Sequence, residues 1–333
     1  MPKLLHFNKL FFKKTLTFEG GTRISNRLGS STRSLFEVRS LNMSATILVT
    51  NQAPKGHFPA LKDASQPWVF ASDSLALMPR KEVLAHAQDA IAIINQGELR
   101  VDTELLDHAP NLKVVANVAI GTDNFDLQAM AARKVWATNA PDAFTESTAD
   151  AAIALLLDVT RRVSEGDRFL RTGAWASEGM RPARWEGPLL SGKTLGLVGY
   201  GKIGQAVAQR ARAFGMRVLY NRSQDVMDDP NYRSLNELLP AVDVLSLHTP
   251  LTPSTRCLLD ARRLGVMKRG SYLINVARGK VVDESAMVAA LQDGQLAGAG
   301  LDVFEEEPIV HPELLSMTNV VLTPHLGGAA REA

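Results

Sequence analysis

The chain has 333 residues, 45% of them hydrophobic and 22% charged, an ordinary globular composition with length enough for two domains, each burying its own core. Its 37 basic and 35 acidic residues leave a formal net charge of +2, so no overall field draws it onto nucleic acid or anionic lipid, and a small molecule is the expected partner. The single cysteine, Cys257, excludes an internal disulfide and a cysteine metal cluster and points to a reducing compartment.

Residues 1–42 differ from the rest. They hold eight Lys or Arg against two acids, Glu19 and Glu37, which fits either an organelle transit peptide or an extension read ahead of a start at Met43. They are taken as outside the fold; the expected location is the cytoplasm, or an organelle if the segment is a transit peptide. No apolar run approaches the ~18 to 20 residues that span a bilayer, since Ala151 to Val159 is closed by Arg161 and Arg162, so no membrane partner is expected.

From Ala45 onward, short apolar runs alternate with helical patterns. Thr46 to Thr50, Ala90 to Asn95 and Leu112 to Asn117 read as strands, with Pro79 to Gln88 helical between the first two. A second series reads as Thr194 to Val198, Arg217 to Asn221, Val242 to Ser246, Ser271 to Asn275, Gly298 to Val303 and Val320 to Leu322. Such alternation is the signature of α/β domains built on parallel sheets. Between the two series, Thr145 to Val163 reads as a long helix with a hinge, whereas Ser164 to Gly192 has no clear periodicity and is either an arm over a partner subunit or an irregular linker.

The strand Thr194 to Val198 runs into Gly199-Tyr200-Gly201-Lys202-Ile203-Gly204, with Gly199, Gly201 and Gly204 at the G-x-G-x-x-G spacing. The first glycine permits the tight turn, the second lets backbone N–H groups reach a diphosphate, and the third allows close helix packing. Ile203, Val207, Ala211 and Phe214 form the apolar stripe of the following helix. Tyr200, Lys202 and Ile203 are cofactor candidates with the three glycines. At the end of the second strand, where an acid would receive a ribose 2′-hydroxyl, stand Asn221, Arg222 and Ser223. A guanidinium without a competing carboxylate suits a 2′-phosphate, so NADP(H) is expected ahead of NAD(H), which stays possible.

Three later segments place ionisable groups at or just beyond strand ends: Asn275-Val276-Ala277-Arg278-Gly279, Leu301-Asp302 through Glu307-Pro308, and Thr323-Pro324-His325 through Gly328. Reduction of a 2-oxo acid needs a fixed cation for the substrate oxygens and an acid that protonates the carbonyl oxygen as hydride arrives. Arg278 and His325 fit these tasks, and Glu307 would keep the imidazole protonated and fix its tautomer. His248 fits a cofactor wall at a strand end. No metal-ligand spacing is present, and no metal is expected.

Together these segments resemble the D-isomer-specific 2-hydroxyacid dehydrogenase family over roughly Thr46 to Gly328. The resemblance implies a catalytic set of Arg278, Glu307 and His325, the Arg of N-x-x-R-G, the Glu of D-V-F-x-x-E-P and the His of P-H-x-x-G. It implies two doubly wound parallel-sheet domains: a flavodoxin-like substrate domain of residues 45–142 plus 323–333, and a Rossmann cofactor domain of residues 143–322 inserted in it. The loop Asn117 to Asn124 looks like the one whose N–H groups grip the substrate carboxylate, leaving Ile120 and Gly121 as candidates beside Arg278. It carries Ala119-Ile120-Gly121 where Gly-Val-Gly is frequent. Thr249, Pro250 and Thr255 would border the adenosine, Asp302 would lie near the nicotinamide carboxamide, and Val276 and Ala277 are counted with the cofactor contacts. The expected reaction is reduction of glyoxylate or hydroxypyruvate to the D-2-hydroxy acid by a homodimer. Alternatives are a D-3-phosphoglycerate or D-lactate type dehydrogenase and, more distantly, an NAD(H)-sensing corepressor-like protein. The family also implies a helix starting near Arg331 that returns to the substrate domain, so a chain ending at Ala333 is expected to be weakly stable.

Overall fold

The structure is a computed structural model that describes residues 5–6, 45–51, 67–70, 77–224, 226 and 228–332. The basic segment 1–42 therefore lies outside the described residues except for Leu5–His6. Backbone contacts divide the chain into two compact units, Met1–Ala143 and Phe144–Ala333.

In the first unit the order is β1 (Leu5–His6), β2 (Thr46–Val49), β3 (Trp68–Phe70), α1 (Arg80–Ala87), β4 (Ala90–Asn95), α2 (Thr103–His108), β5 (Val114–Asn117), α3 (Leu127–Ala132) and β6 (Trp136–Asn139). The strands form one parallel sheet in the order β1-β6-β5-β4-β2-β3. Counted from β2, the succession β3-β2-β4-β5-β6 is the flavodoxin-like one, with its reversal between β2 and β4. Leu48, Ile93, Val115 and Ala137 of the sheet pack with Val83, Leu105 and Met130 of the helices in one buried cluster. Asp102 and Asp126 cap α2 and α3 by accepting from Leu105 N and Ala129 N, which satisfies amides that a helix start leaves without partners.

The second unit opens with α4 (Thr145–Arg161), α5 (Val163–Arg171) and α6 (Ala174–Glu178). It continues through β7 (Thr194–Val198), α7 (Lys202–Ala213), β8 (Arg217–Asn221), α8 (Leu235–Leu238), β9 (Val244–Leu247), α9 (Ala261–Gly265), β10 (Ser271–Asn275), α10 (Glu284–Gln292), β11 (Leu296–Leu301), α11 (Pro312–Ser316) and β12 (Val320–Leu322). Its sheet is parallel in the order β12-β11-β10-β9-β7-β8. Outside β8, Tyr232 adds one parallel bridge to Tyr220. Tyr220 N donates to Asn231 O and Arg233 N to Tyr220 O. The third strand of a Rossmann half is thus reduced to a single bridge that covers the β8 edge, and the chain order reverses between β7 and β9.

Buried side chains lie on both faces of this sheet. On one, α4 contributes Ala149, Ala152, Ile153, Leu156 and Val159 and α7 contributes Val207 and Ala211; on the other lie Leu264, Met287, Val288 and Leu291. Phe214 does not complete the α7 stripe as expected, because it follows the last helical residue and is 41% exposed.

Two segments depart from the sequence reading. Arg162 adopts a left-handed backbone (φ +54°) that ends α4, held by a two-pronged pair with Glu165 at 2.7 Å for each nitrogen. The chain then re-enters a helix, so Ser164 to Gly192 is largely helical (α5, α6 and a 3₁₀ turn at Pro182–Trp185) and not irregular. The segment 323–333, read as part of the substrate domain, falls in the second unit. Several of its bonds run to the end of β11: Thr323 N donates to Leu301 O, and Leu326 N and Gly327 N donate to the Asp302 carboxylate.

Candidate active site

The glycine loop sits at the reversal point of the second sheet. Gly199 has φ +96°, and a Cβ there would lie 2.4 Å from the His248 carbonyl oxygen; one on Gly204 would lie 2.3 Å from Gly199 O. Loop, helix and the end of β9 therefore meet at distances that only glycine allows. Gly201 differs, because a Cβ on it would meet nothing within 4 Å. It is the N-cap of α7 and makes no side-chain cap bond, so the first-turn amides open onto that space. The residues present fit a dinucleotide diphosphate.

The loop candidates divide by role. Lys202 is exposed, while Ile203 packs against the buried cluster under α7. Tyr200 turns to the core and stacks on Tyr220, ring centroids 3.8 Å apart. At the end of β8, Asn221 Nδ2 donates to Arg233 O at 2.9 Å, and Arg222 and Ser223 are exposed. The fold also brings up a carboxylate that strand spacing did not reveal: Asp229 accepts from the Tyr220 hydroxyl at 2.7 Å and from Asn231 N at 2.8 Å. Burial, with that bond, pushes the Tyr220 phenol up to about 12.

Just past the end of β9, His248 Nε2 lies 2.9 Å from Ser246 Oγ. Burial pushes the imidazole down to about 3, which favours its neutral form. Thr249 is partly buried and Pro250 exposed. Thr255 Oγ1 braces their loop, donating to Pro250 O at 2.6 Å and accepting from Thr252 N at 2.8 Å.

Arg278, Glu307 and His325 come together. Asn275, 2% exposed at the end of β10, holds the turn by accepting from Ala277 N at 3.0 Å and donating to Arg278 O at 3.1 Å. Val276 and Ala277 are buried in the clusters on opposite faces of the sheet. A Cβ on Gly279 would fall 1.9 Å from both the carbonyl carbon and oxygen of Phe304, so the backbones that carry Arg278 and Glu307 are in direct contact. Glu307 Oε1 accepts from Phe304 N at 3.0 Å and Oε2 lies 2.8 Å from His325 Nδ1.

His325 takes a left-handed φ of +52°, an uncommon backbone state for histidine that surrounding bonds must hold. Asp302, 1% exposed, supplies them: Oδ1 accepts from Thr323 Oγ1 at 2.6 Å and Leu326 N at 2.8 Å, and Oδ2 from Gly327 N at 2.8 Å. The buried carboxylate thus grips the chain on both sides of the histidine. Asp302 was expected near the carboxamide; the bonds described here are those to the histidine loop.

The hydrogen bond to Glu307 raises the His325 pKa, against burial and the charge of Arg278, with Asp302 adding to the rise. Burial resists ionisation of Glu307 but is outweighed by the bond and charge of His325, the Phe304 amide and Arg278, so its pKa is lowered. Arg278 is therefore near enough to act on both partners. With Glu307 bonded to Nδ1, Nε2 is the nitrogen left for a reacting oxygen.

In the first unit, Asn139 Nδ2 donates to Ile120 O at 2.8 Å and Asn117 Nδ2 to Gly121 O at 3.0 Å. Asn117 and Asn124 also bond each other. Both carbonyls of the candidate pair are occupied, and among the described residues neither N–H donates to a partner. Of the asparagines at strand ends, Asn221 alone was singled out from the sequence. Their signal was position, since Asn95, Asn117, Asn139, Asn221 and Asn275 each close a strand.

A Rossmann-type sheet with a glycine loop at its reversal point and an Arg, Glu and His set beyond its strand ends defines a nicotinamide-dinucleotide oxidoreductase. The family described as D-isomer specific 2-hydroxyacid dehydrogenase, NAD binding domain, matches residues 153–327. A glyoxylate reductase of Pyrococcus furiosus is 42% identical over 298 residues, covering 87% of this chain and 88% of that one. The solved NADPH-dependent glyoxylate/hydroxypyruvate reductase of Sinorhizobium meliloti, in complex with NADP and malonate, is 38% identical with a TM-score of 0.76, over 86% of this chain and 88% of that one. The D-lactate dehydrogenase of Aquifex aeolicus, complexed with NAD and lactic acid, is 30% identical with a TM-score of 0.73, over 86% and 90%. The chain belongs to the D-isomer specific 2-hydroxyacid dehydrogenase family.

Proposed function

We propose that the protein reduces glyoxylate or hydroxypyruvate to the D-2-hydroxy acid and prefers NADPH to NADH. The observation that carries the chemistry is the 2.8 Å bond between His325 Nδ1 and Glu307 Oε2, with the charge of Arg278 acting on both residues. The bound dinucleotide would supply hydride from nicotinamide C4 to the carbonyl carbon. Protonated His325 gives its Nε2 proton to the carbonyl oxygen, Glu307 stabilises the imidazolium before transfer, and Arg278 binds substrate oxygens. Substrate choice is supported by the similarity to glyoxylate and glyoxylate/hydroxypyruvate reductases. Cofactor choice is supported by the exposed Arg222 and Ser223 at the end of β8.

Steady-state assays of glyoxylate, hydroxypyruvate and pyruvate with both cofactors test this reading. A roughly tenfold preference for NADH, about 1.4 kcal/mol in the wrong direction, overturns the cofactor assignment. His325→Ala should keep dinucleotide binding while losing a factor of about 10² or more in reduction rate; unchanged turnover removes the assigned acid. Arg278→Lys should also fail, because an ammonium lacks the planar fork.

We also propose a homodimer in which a second copy covers the helical arm. Leu170, Trp175, Met180 and Leu189 are 53%, 48%, 80% and 71% exposed, a run of large apolar side chains confined to one segment. Trp185 instead packs at home, on Phe169 with centroids 5.1 Å apart. Sedimentation should give a dimer that Met180→Asp with Leu189→Asp dissociates; a monomeric parent chain refutes it.

A further inference from the structure

We infer that Glu284 is a positioning residue for the Glu307–His325 pair, acting through the backbone that carries Glu307. Glu284 is the first residue of α10 and is 8% exposed, an unusual place for a carboxylate without a task. Its Oε2 accepts from Glu305 N at 3.0 Å. One bond therefore reaches from a rigid helix start to the amide two residues before Glu307.

Two further ties run between the same stretches of chain. Lys280 Nζ pairs with Glu306 Oε1 at 3.0 Å, and Gly279 lies against the Phe304 carbonyl. The Lys280 pair is partly exposed, at 32% and 71% of the two side chains, and weak on that account. Gly279 contributes contact but no directional bond. Glu284 is thus the buried, directional anchor of the turn Phe304–Glu307, whose last residue holds the imidazole. The groups acting on that imidazole are Glu307, Arg278 and Asp302. Of these, Glu307 is the one carried by the segment that Glu284 fixes.

Glu307 raises the His325 pKa, so an unanchored turn lets that pKa fall and moves the high-pH limb of the reduction profile to lower pH. The inference rests on His325 as the proton donor, which His325→Ala tests separately. Three variants test Glu284 itself in the full chain. Glu284→Gln keeps a carbonyl acceptor for Glu305 N and should retain the parent profile. Glu284→Ala loses the acceptor, and Glu284→Asp keeps the charge at the helix start but is one methylene too short. Both should shift the high-pH limb of kcat to lower pH and lower kcat above it by about tenfold, a fraction of the roughly 10² to 10⁴ that a positioned acid contributes, with NADPH affinity unchanged. A parent-like limb in whichever of the two folds overturns the inference. So does unfolding of both or loss of NADPH binding in both, since the role is then merely structural. If His325→Ala keeps full turnover, it is the acid assignment that fails, and a shifted limb in the Glu284 variants must then be ascribed to another group.

Discussion

Glu307 and His325 shift each other in opposite directions: the imidazole is raised by the bond to the carboxylate, and the carboxylate is lowered against its burial. The donor form of His325 thus persists above the ordinary histidine range, and reduction should fall only as pH rises through that raised value, with oxidation of the 2-hydroxy acid favoured above it. Glu307→Gln keeps a hydrogen-bonding partner but removes the charge. The high-pH limb of kcat/KM for reduction should move to lower pH, and the rate above the shifted limb should fall by roughly tenfold or more. A limb that stays in place in a folded Glu307→Gln variant would mean another group supplies the proton.

The same pair makes stability depend on pH. The part due to His325 is complete below about 6.5, the unfolded value, and is lost as pH rises through the raised folded value. The part due to Glu307 is complete above its unfolded value of about 4.3 and is lost as pH falls through the lowered folded value. Denaturant titrations of the parent chain and Glu307→Gln should therefore differ most between these unfolded values. The two should converge toward strongly acidic and strongly alkaline pH.

How far the sequence could be read follows from what each element buries. Thr194–Val198, Arg217–Asn221, Ser271–Asn275 and Ala90–Asn95 match expectation to the residue, because each is an apolar run stopped by a turn. β9 and β11 lie about two residues from their expected bounds at one end or both; in β11, Asp302 leaves the ladder to grip the histidine loop. Trp68–Phe70 and Trp136–Asn139 were both missed. α5 was missed because its apolar residues, Val163, Phe169 and Leu170, are few and none of its residues is buried, while a polar pair such as Asp167–Arg171 leaves little trace. The Arg, Glu and His set was legible as three motifs. The supports of that set were not, because Asp302 and Glu284 work through backbone amides of distant residues, which no spacing encodes.

On the proposed cofactor assignment, Arg222 is the residue that should distinguish NADPH from NADH. It stands exposed beside Ser223 at the end of β8, and the nearby carboxylate of Asp229 is engaged by Tyr220 and Asn231. Arg222→Ala should raise KM for NADPH by about tenfold or more, the equivalent of one charge-assisted bond of about 1.5 to 3 kcal/mol. KM for NADH should be little changed, since NADH has no 2′-phosphate. Equal losses for both would show that Arg222 touches a part common to them.

Gly201 and Gly204 have the same residue type in one motif and should fail for different reasons. A methyl on Gly204 would sit 2.3 Å from Gly199 O, while one on Gly201 meets nothing within 4 Å. Gly204→Ala must push α7 off the strand end and should lower Tm, by several degrees for each kcal/mol lost. Gly201→Ala should lower the Tm far less in the absence of cofactor, because the methyl enters open space and an Ala at the N-cap costs only about 1 kcal/mol or less relative to Gly. It should nevertheless weaken NADPH and NADH binding alike, because the methyl occupies the side on which the diphosphate approaches the first-turn amides. Thermal melts with and without dinucleotide separate the two effects. If Gly201→Ala binds both cofactors as the parent does, the diphosphate does not lie against this loop.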